Sequence, residues 1–373
     1  MKFIHTSDWH IGNNFFNFSK EDNLKLEKAR FDVIDSIFQY ARQNSIELII
    51  SAGDQFDKGE YRSSILLKKL FSIFNNYPEI KIVMITGNHD FISQKTIYNQ
   101  IDKKEYPANL IFIDDKQILE FKEYNCKIYA TSLKEKNSRQ NPLDWIPDDK
   151  EQNLKIVVGH GSLKIEGKYS PDDFPIDLDL ATKKNLDYLA LGHWHSFYKQ
   201  DDRTYYCGVM ENLQFKEEGF ILVVDLQKDQ LPEVEKVKIS FYNWDEKKYE
   251  LNDNNLENFI LETKNDANEQ KIKSLVIYGF LSFSNLEKLN NFLIECQSLF
   301  FKCFIKNEVF LKPEEDEILK VVDQSYIKDI VKKLISMKQT KDLPFQTDEK
   351  VPKESIVDKA LLSIYDFYKE ERK

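Results

Sequence analysis

Five short segments hold most of the side chains in this sequence that are able to do metal or acid–base chemistry. They are Asp8-Trp9-His10, Gly53-Asp54, Gly87-Asn88-His89-Asp90, Gly159-His160 and Gly192-His193-Trp194-His195, and they take in five of the six histidines. Carboxylate, imidazole and amide oxygen are the ligands preferred by hard-to-borderline divalent ions such as manganese or iron. On extended backbone, Asp-x-His and His-x-His put alternate side chains on one face, so each pair can serve one site. Two ions roughly 3.5–4 Å apart can neutralise phosphate oxygens and activate water for attack on phosphorus. A buried cluster of carboxylates and imidazoles is costly without such cations. One histidine at a strand end is more often a hydrogen-bonded core residue than a ligand, and His5 is read that way. Five segments in order, carrying Asp8, His10, Asp54, Asn88, His89, His160, His193 and His195, are far more specific than any lone Gly-Asp or His-x-His.

The elements that would position these groups follow from periodicity. Apolar runs at Lys2–Thr6, Leu48–Ser51, Lys81–Thr86, Lys155–Val158 and Tyr188–Leu191 read as strands, and the polar segments come after them. Each ligand set then sits at the carboxyl end of a strand, where open α/β sheets bind their ligands. Further strands are expected at Lys127–Thr131, Thr204–Val209 and Phe220–Asp225. Glu21–Gln43 reads as a helix, with Leu26, Ala29, Val33, Ile37 and Ala41 at three- and four-residue spacing and Ile34 and Phe38 widening the stripe. Ser63–Tyr77 reads as another. The early strand–helix alternation predicts a layered α/β architecture.

Composition sets the outer bounds. The 373 residues are 41% hydrophobic and 13% aromatic, enough for a large core with smaller modules and too apolar for disorder despite 31% charged residues. No run of 18 or more apolar residues occurs and no signal peptide is evident, so no membrane span is expected and the cytoplasm is the expected compartment. The four cysteines are scattered without a C-x-x-C pair, which argues against structural zinc and a disulfide framework. Cys126 and Cys207 read as small buried apolar residues. A net charge of −10 counts mildly against phosphate-backbone binding, although divalent ions would add local positive charge.

Three domains are expected: 1–240 as the catalytic domain, 241–313 as a small capping domain and 314–373 as a helical tail. In the second, Leu256, Phe259 and Ile260 suggest a short helix, and Ser274–Phe280, Asn285–Phe300 and Phe301–Phe310 read as a βαβ unit. A polar linker with Pro344 and Pro352 spans about Lys338–Lys353. It precedes a helix with Ser355 as N-cap and an apolar face of Ile356, Val357, Ala360, Leu361, Ile364, Phe367 and Tyr368.

The five segments together match the motifs of the calcineurin-like metallophosphoesterases. The opening His5-Thr6-Ser7-Asp8-Trp9-His10-Ile11-Gly12 and the run Gly53-Asp54-Gln55-Phe56-Asp57-Lys58-Gly59 more specifically resemble the SbcD-type nuclease subunits of bacterial SbcC–SbcD complexes. The match covers roughly the first 200 residues; beyond them only the layout is similar. The resemblance implies an α-β-β-α core with a small α+β cap and C-terminal helices. It implies two divalent ions, manganese by family habit: Asp8, His10 and His195 on one, Asn88, His160 and His193 on the other, and Asp54 bridging. It makes His89 the non-ligand histidine that contacts the scissile phosphate and protonates the leaving oxygen, with Asp90 placed to orient its ring. Asp57 lies where some relatives carry a histidine and is given no catalytic role. The resemblance also implies DNA as substrate, exonuclease activity with endonuclease activity at hairpins or single strands, a coiled-coil ATPase partner docked on the C-terminal helices, and a homodimer to which the helix Ser63–Tyr77 contributes through Leu67 or Phe71.

Metal chemistry alone leaves other substrates open. A stand-alone phosphatase or small-molecule phosphodiesterase suits the acidic charge but does not need the last 130 or so residues. A non-catalytic scaffold is hard to reconcile with intact metal motifs. A lipid-precursor pyrophosphatase would need an apolar or basic membrane-facing stretch, and none is convincing. Candidate DNA contacts are the aromatic loop Asn13–Phe18, either stacking on bases or anchoring itself, and Lys58, Tyr61 and Arg62.

Overall fold

In the computed structural model, which describes residues 1–58, 64–322, 324–340 and 353–370, the chain divides into two compact units. One comprises 1–245 with 270–272, the other 246–269 and 273–373.

The first unit is built on two six-stranded sheets. β1 (Lys2–Thr6), β2 (Leu48–Ala52), β3 (Lys81–Ile85) and β4 (Leu110–Phe112) run parallel, with Ile4 opposite Ile49 and Ile49 opposite Ile82. The chain then forms the second sheet from β5 (Lys116–Phe121), β6 (Cys126–Thr131), β7 (Leu154–His160), β8 (Tyr188–Gly192), β9 (Tyr198–Lys199) and β10 (Thr204–Tyr206). It returns to the first through β11 (Phe220–Asp225), antiparallel to β1, and the edge strand β12 (Glu233–Lys238).

Alternation along the strands decides the layers. Phe3, Ile50, Val83 and Ile85 pack with Ile128, Ile156, Val158 and Ala190 of the second sheet, which makes the central core sheet on sheet. Their neighbours Ile4, Ile49, Ile82 and Met84 face the other way, onto α1 (Lys20–Gln43) and α2 (Ser64–Asn75). The stripe read from the sequence of α1, Leu26 through Ala41, is buried, and Ser19 caps the helix by accepting from the Asp22 amide at 3.0 Å. The outer face of the second sheet (Val157, Leu189, Leu191) is covered by Leu143, Ile146, Leu163, Ile176 and the single helical turn α3 (Leu180–Lys183). The architecture is layered α-β-β-α with a thin last layer.

Several local expectations shift. The strand expected at Thr204–Val209 stops at Tyr206 because the chain turns through Gly208 (φ +79°), where the Val209 amide donates to the His195 carbonyl at 3.0 Å. Leu67 and Phe71, expected on the outside of α2, are instead 0% and 4% exposed, so they belong to the core and offer nothing to a second copy. Ser63 lies outside the described residues. All four cysteines are free and buried.

In the second unit β13 (Asn243–Leu251), β14 (Asn268–Leu281) and β15 (Phe300–Leu311) form one sheet with β14 in the middle. Leu275, Ile277 and Cys303 of this sheet pack with Leu256 and Phe259 of α4 (Leu256–Asn265) and with Leu289 and Phe292 of α5 (Phe283–Cys296). The expected βαβ unit is thus β14–α5–β15, the short helix expected at Leu256, Phe259 and Ile260 is α4, and β13 adds a strand before it. Then α6 (Glu315–Val321), α7 (Ser325–Thr340) and α8 (Lys353–Glu370) share a small core of Ile318, Val322, Val331, Ile335, Val357 and Leu361. α8 begins at Lys353, so Ser355 lies within its first turn rather than at its cap. The linker prolines Pro344 and Pro352 lie outside the described residues. Among the described residues, no helix is long and apolar enough to cross a membrane.

Candidate metal centre

The carboxyl ends of β1, β2 and β3 in one sheet and of β7 and β8 in the other lead directly into the five polar segments. Ligand atoms of Asp8, His10 and His195 lie within 4.8 Å of one another, as do those of His10, Asp54 and His89, and those of Asp54, His160 and His193. Asn88 joins the last group through its Oδ1, 3.0 Å from His160 Nε2 and 3.1 Å from His193 Nδ1. His5 stands apart, buried on β1 with its Nδ1 3.1 Å from the Tyr188 hydroxyl, and burial pushes its pKa down to about 3.

Gathering these groups strains the backbone. Asp8, His10 and Asp54 adopt left-handed φ values of 52°, 46° and 56°, and His193 has φ 107°. Such conformations cost of order 1–3 kcal/mol each in non-glycine residues and persist where surrounding structure dictates them. Here it does: the Asp8 and His10 amides donate to the carbonyls of Gly53 and Asp54, both at 3.0 Å, which stitches the first two loops together. Gly87 has no room for a side chain, since a Cβ there would lie 2.2 Å from Asp54 Oδ1 and 2.6 Å from His160 Cε1.

The donor set itself tests whether cations fit. The Ala52 carbonyl can only accept, so His160 Nδ1, 2.8 Å away, carries a hydrogen and the Nε2 of the neutral ring carries a lone pair. That lone pair faces Asn88 Oδ1 and, at 3.3 Å, Asp54 Oδ2. Asp173 accepts from His193 Nε2 at 2.9 Å, which turns the Nδ1 lone pair toward the same Asn88 oxygen. Glu217 accepts from His195 Nδ1 at 3.2 Å, leaving the His195 Nε2 lone pair 3.1 Å from His10 Nε2. Acceptors therefore meet acceptors in a buried space, an arrangement that needs positive charge. The residues fit divalent ions.

The same shortage of positive charge draws protons onto the ring nitrogens, the alternative to a cation there. Burial opposes a charge on His160, yet the Asp54 carboxylate outweighs it and raises the ring to about 9. Burial likewise opposes ionisation of Asp54, but His160 and His10 hold it below the usual carboxylate range. His195 is raised against its own burial by Glu217, whereas in His10 burial outweighs the pull of Asp57 and lowers the pKa.

His89 and Asp90 have separate surroundings. The Asp90 carboxylate accepts from the amides of Gln55 (2.9 Å), Phe56 (3.3 Å) and Gly87 (2.8 Å) and from the Tyr98 hydroxyl (2.7 Å), so it ties the second loop to the third and faces backbone. Its burial and the charge on Asp54 raise its pKa to about 6. The His89 ring instead donates from Nδ1 to the Asp57 carbonyl at 2.7 Å, with the Asp57 carboxylate 3.6 Å from the same nitrogen. That carboxylate also stands 3.5 Å from His10 Nδ1. As partners of the site, Asp173 and Glu217 escape a reading of the sequence, because no local pattern separates them from the rest of its 63 Asp and Glu residues, and Asp57 stands in the second motif without a role assigned to it.

Of the candidate DNA contacts, Phe15 and Phe18 pack on Trp244 at 5.5 and 5.7 Å, which anchors the loop, while Phe16 between them is 94% exposed. Lys58 is exposed, and Tyr61 and Arg62 lie outside the described residues.

Two sheets whose parallel strands end in this ligand cluster define a metallophosphoesterase, and the sequence comparisons agree: the calcineurin-like phosphoesterase family matches residues 1–197, and the chain belongs to it. It is a metal-dependent phosphoester hydrolase, and it is similar to the SbcD component of the nuclease SbcCD of Staphylococcus epidermidis. The two are 26% identical in an alignment 267 positions long that covers 62% of this chain and 67% of that protein.

Proposed function

We propose that this chain is a two-metal DNA nuclease that hydrolyses phosphodiesters in double-strand-break or hairpin processing together with a coiled-coil ATPase. The observation that carries the reading is the convergence of seven ligands (Asp8, His10, Asp54, Asn88, His160, His193, His195) with a partly open imidazole, His89, beside them. Asp8, His10 and His195 would hold one ion, Asn88, His160 and His193 the other, and Asp54 both. Two such ions, manganese in our reading, supply charge neutralisation of the phosphate and activation of water. His89 works from the substrate side. Its side chain is 38% exposed, more than any of the four ligand imidazoles, and its Nδ1 is engaged by the Asp57 carbonyl. Nε2 is then the atom that holds a proton for the departing sugar oxygen. Asp90 acts through backbone, keeping the Asp54 and Asn88 loops in register.

Substrate and partner rest on the likeness to the SbcD component of SbcCD. The exposed Phe16 ring suits stacking on a base. The 241–313 segment is assigned to positioning DNA, and the helices from 314 onward to the ATPase. On α8, Val357 and Leu361 are occupied by α6 and α7, while Ile356 and Phe367, 37% and 58% exposed and eleven residues apart, share one outward stripe. That stripe is the proposed docking face. A homodimer would use a surface other than Leu67 and Phe71, and the proposed compartment is the cytoplasm.

The net charge of −10 favours the competing reading, a phosphatase or small-molecule phosphodiesterase on the same core. Labelled duplex, hairpin and single-stranded DNA, assayed beside a generic phosphomonoester with and without manganese, separate the two. The nuclease reading expects manganese-dependent DNA cleavage. Rapid monoester turnover with intact DNA would overturn it.

A further inference from the structure

The two imidazoles of the Gly192–His195 segment are turned in opposite senses. His193 presents Nδ1 to Asn88 and gives Nε2 to Asp173; His195 presents Nε2 to His10 and gives Nδ1 to Glu217. Nothing in His-x-His dictates that choice, because either nitrogen of either ring could face inward after rotation about the side-chain torsions. The carboxylates decide it, and both are themselves fixed.

Asp173 lies in a stretch laid along the segment after His160. Its carbonyl accepts from the Ser162 amide at 3.1 Å, and the adjacent Phe174 amide donates to Ser138 at 3.0 Å. Its Oδ2, besides receiving His193, takes the Ser162 hydroxyl at 2.5 Å, and that hydroxyl accepts from the Trp194 indole at 3.1 Å. Glu217 closes a tight loop: Oε2 accepts from the amides of Leu213 (2.7 Å) and Gln214 (3.2 Å), Oε1 from the Gln214 side chain (3.0 Å), and its carbonyl from the Asn212 amide group (2.6 Å). The Glu217 side chain is 3% exposed. A carboxylate so buried and so fully supplied with donors is a fixed reference for the ring it receives.

We propose that Asp173 and Glu217 are the positioning residues of the metal centre, each assigned to one half: Asp173 aims His193 and Glu217 aims His195. The inference rests on the two-metal reading above. Loss of either carboxylate frees one ring to rotate and should weaken one ion while leaving the other, a selectivity that a general loss of structure does not produce.

The test is calorimetric titration of the full chain with manganese, comparing wild type, Asp173→Leu, Glu217→Leu, Asp173→Asn and Glu217→Gln. His193→Ala and His195→Ala mark which binding step belongs to which half. The leucine variants should each lose about 10–100-fold in affinity at a single step, the Asp173 variant at the step lost in His193→Ala and the Glu217 variant at the step lost in His195→Ala. The amide variants keep an oxygen that can accept from the ring and should recover most of that loss. Where a leucine variant does not fold, the amide variant still carries the test, with an expected selective loss of about threefold or more at the same step. Affinities unchanged at both steps, or lowered equally at both, would overturn the inference while the two-metal reading stands. A wild-type chain that takes up no manganese would overturn both.

Discussion

On one side of Asp54, His160 gives its Nδ1 to the Ala52 carbonyl at the end of β2; on the other, His10 and His195 turn theirs toward side-chain carboxylates, Asp57 at 3.5 Å and Glu217 at 3.2 Å. The first half of the centre is thus anchored by main chain at His160, with Asp173 supporting His193 beside it. A Cβ on Gly192 would come within 2.0 Å of that same Ala52 oxygen, so β2, β7 and β8 meet there without spare room. The second half is held by side chains from two loops, those of Asp57 and Glu217, and a buried cation ties the loop of Glu217 to that of His10. Arg30 of α1 donates to the Trp9 carbonyl at 3.0 Å, the Glu211 carbonyl at 3.4 Å and the Asn212 carbonyl at 3.3 Å, linking the loop of His10 to the loop of Glu217. Ligand charge differs as well: Asp8 is a carboxylate, whereas its counterpart Asn88 is a neutral amide. A ring set by backbone, as His160 is, follows from the fold itself; a ring set by a carboxylate, as His193, His10 and His195 are, can be altered one residue at a time.

Asp54 belongs to both halves, and its replacement should have the largest effect. Asp54→Asn keeps an oxygen to accept from the His89 amide, now at 2.8 Å, but removes the charge that both halves share. Manganese stoichiometry should fall below two and hydrolysis of a simple phosphodiester should fall to background; retention of two tightly bound ions would show that the halves do not meet at Asp54. His89→Asn comes next. It touches neither set of ligands exclusively, so both binding steps should remain near wild type while hydrolysis falls by about 10²–10⁴-fold, the usual worth of general acid–base catalysis. Full activity would remove His89 from the mechanism, and loss of one ion would place it among the ligands of the side-chain-held half.

Gly192→Ala probes the backbone-held half directly. The added methyl meets a carbonyl rather than a flexible side chain, so relief requires β8 to move. A loss of about 1–3 kcal/mol in unfolding free energy is expected, with the step assigned to His160 and His193 weakened more than the other. Thermal melting and manganese titration of the same sample check both.

How much of this is legible in the sequence follows the same division. Residues that recur at strand ends in fixed local patterns, such as Asp8-x-His10 and His193-x-His195, announce themselves through spacing, and alternation along β1 to β3 and β7 to β8 carries the sheet layers with them. Asp57, Asp173 and Glu217 act across loops, and in a chain with 63 acidic residues their neighbours in sequence say nothing about which imidazole they meet. Arg30 reads as an ordinary charged position on an amphipathic helix, yet it is 1% exposed because it reaches back to carbonyls far along the chain. Asp90 shows the converse: adjacency to His89 suggests a partner for the ring, but the turn at Gly87–Asp90 points the carboxylate at amides that had to be satisfied there. In α2 the helical period is readable while its outer face is not, since Leu67 and Phe71 are covered by elements remote in sequence. In α8 an apolar stripe wider than one interface hides the fact that part of it closes on α6 and α7.

Arg30→Met offers the finest division between the halves. Methionine fills much of the same volume, so the change removes donors more than packing. Three carbonyls lose their charged partner in a buried place, and of order 2–3 kcal/mol of stability should go with it, an unsatisfied buried acceptor costing about 1–3 kcal/mol. Stability is lost regardless of manganese, so melting in chelator should report it. The effect on binding is indirect, passed through the Trp9–His10 and Asn212–Glu217 loops, and should be smaller than that of removing a carboxylate that touches a ligand: about 3–10-fold at the step assigned to His10 and His195, against roughly 10–100-fold for a direct partner. The step assigned to His160 and His193 should not change, because Ala52 and Asp173 are held without Arg30. An equal loss at both steps would mean that α1 supports the whole centre, and that the distinction between a half held by main chain and a half held by side chains does not extend beyond the first layer of contacts.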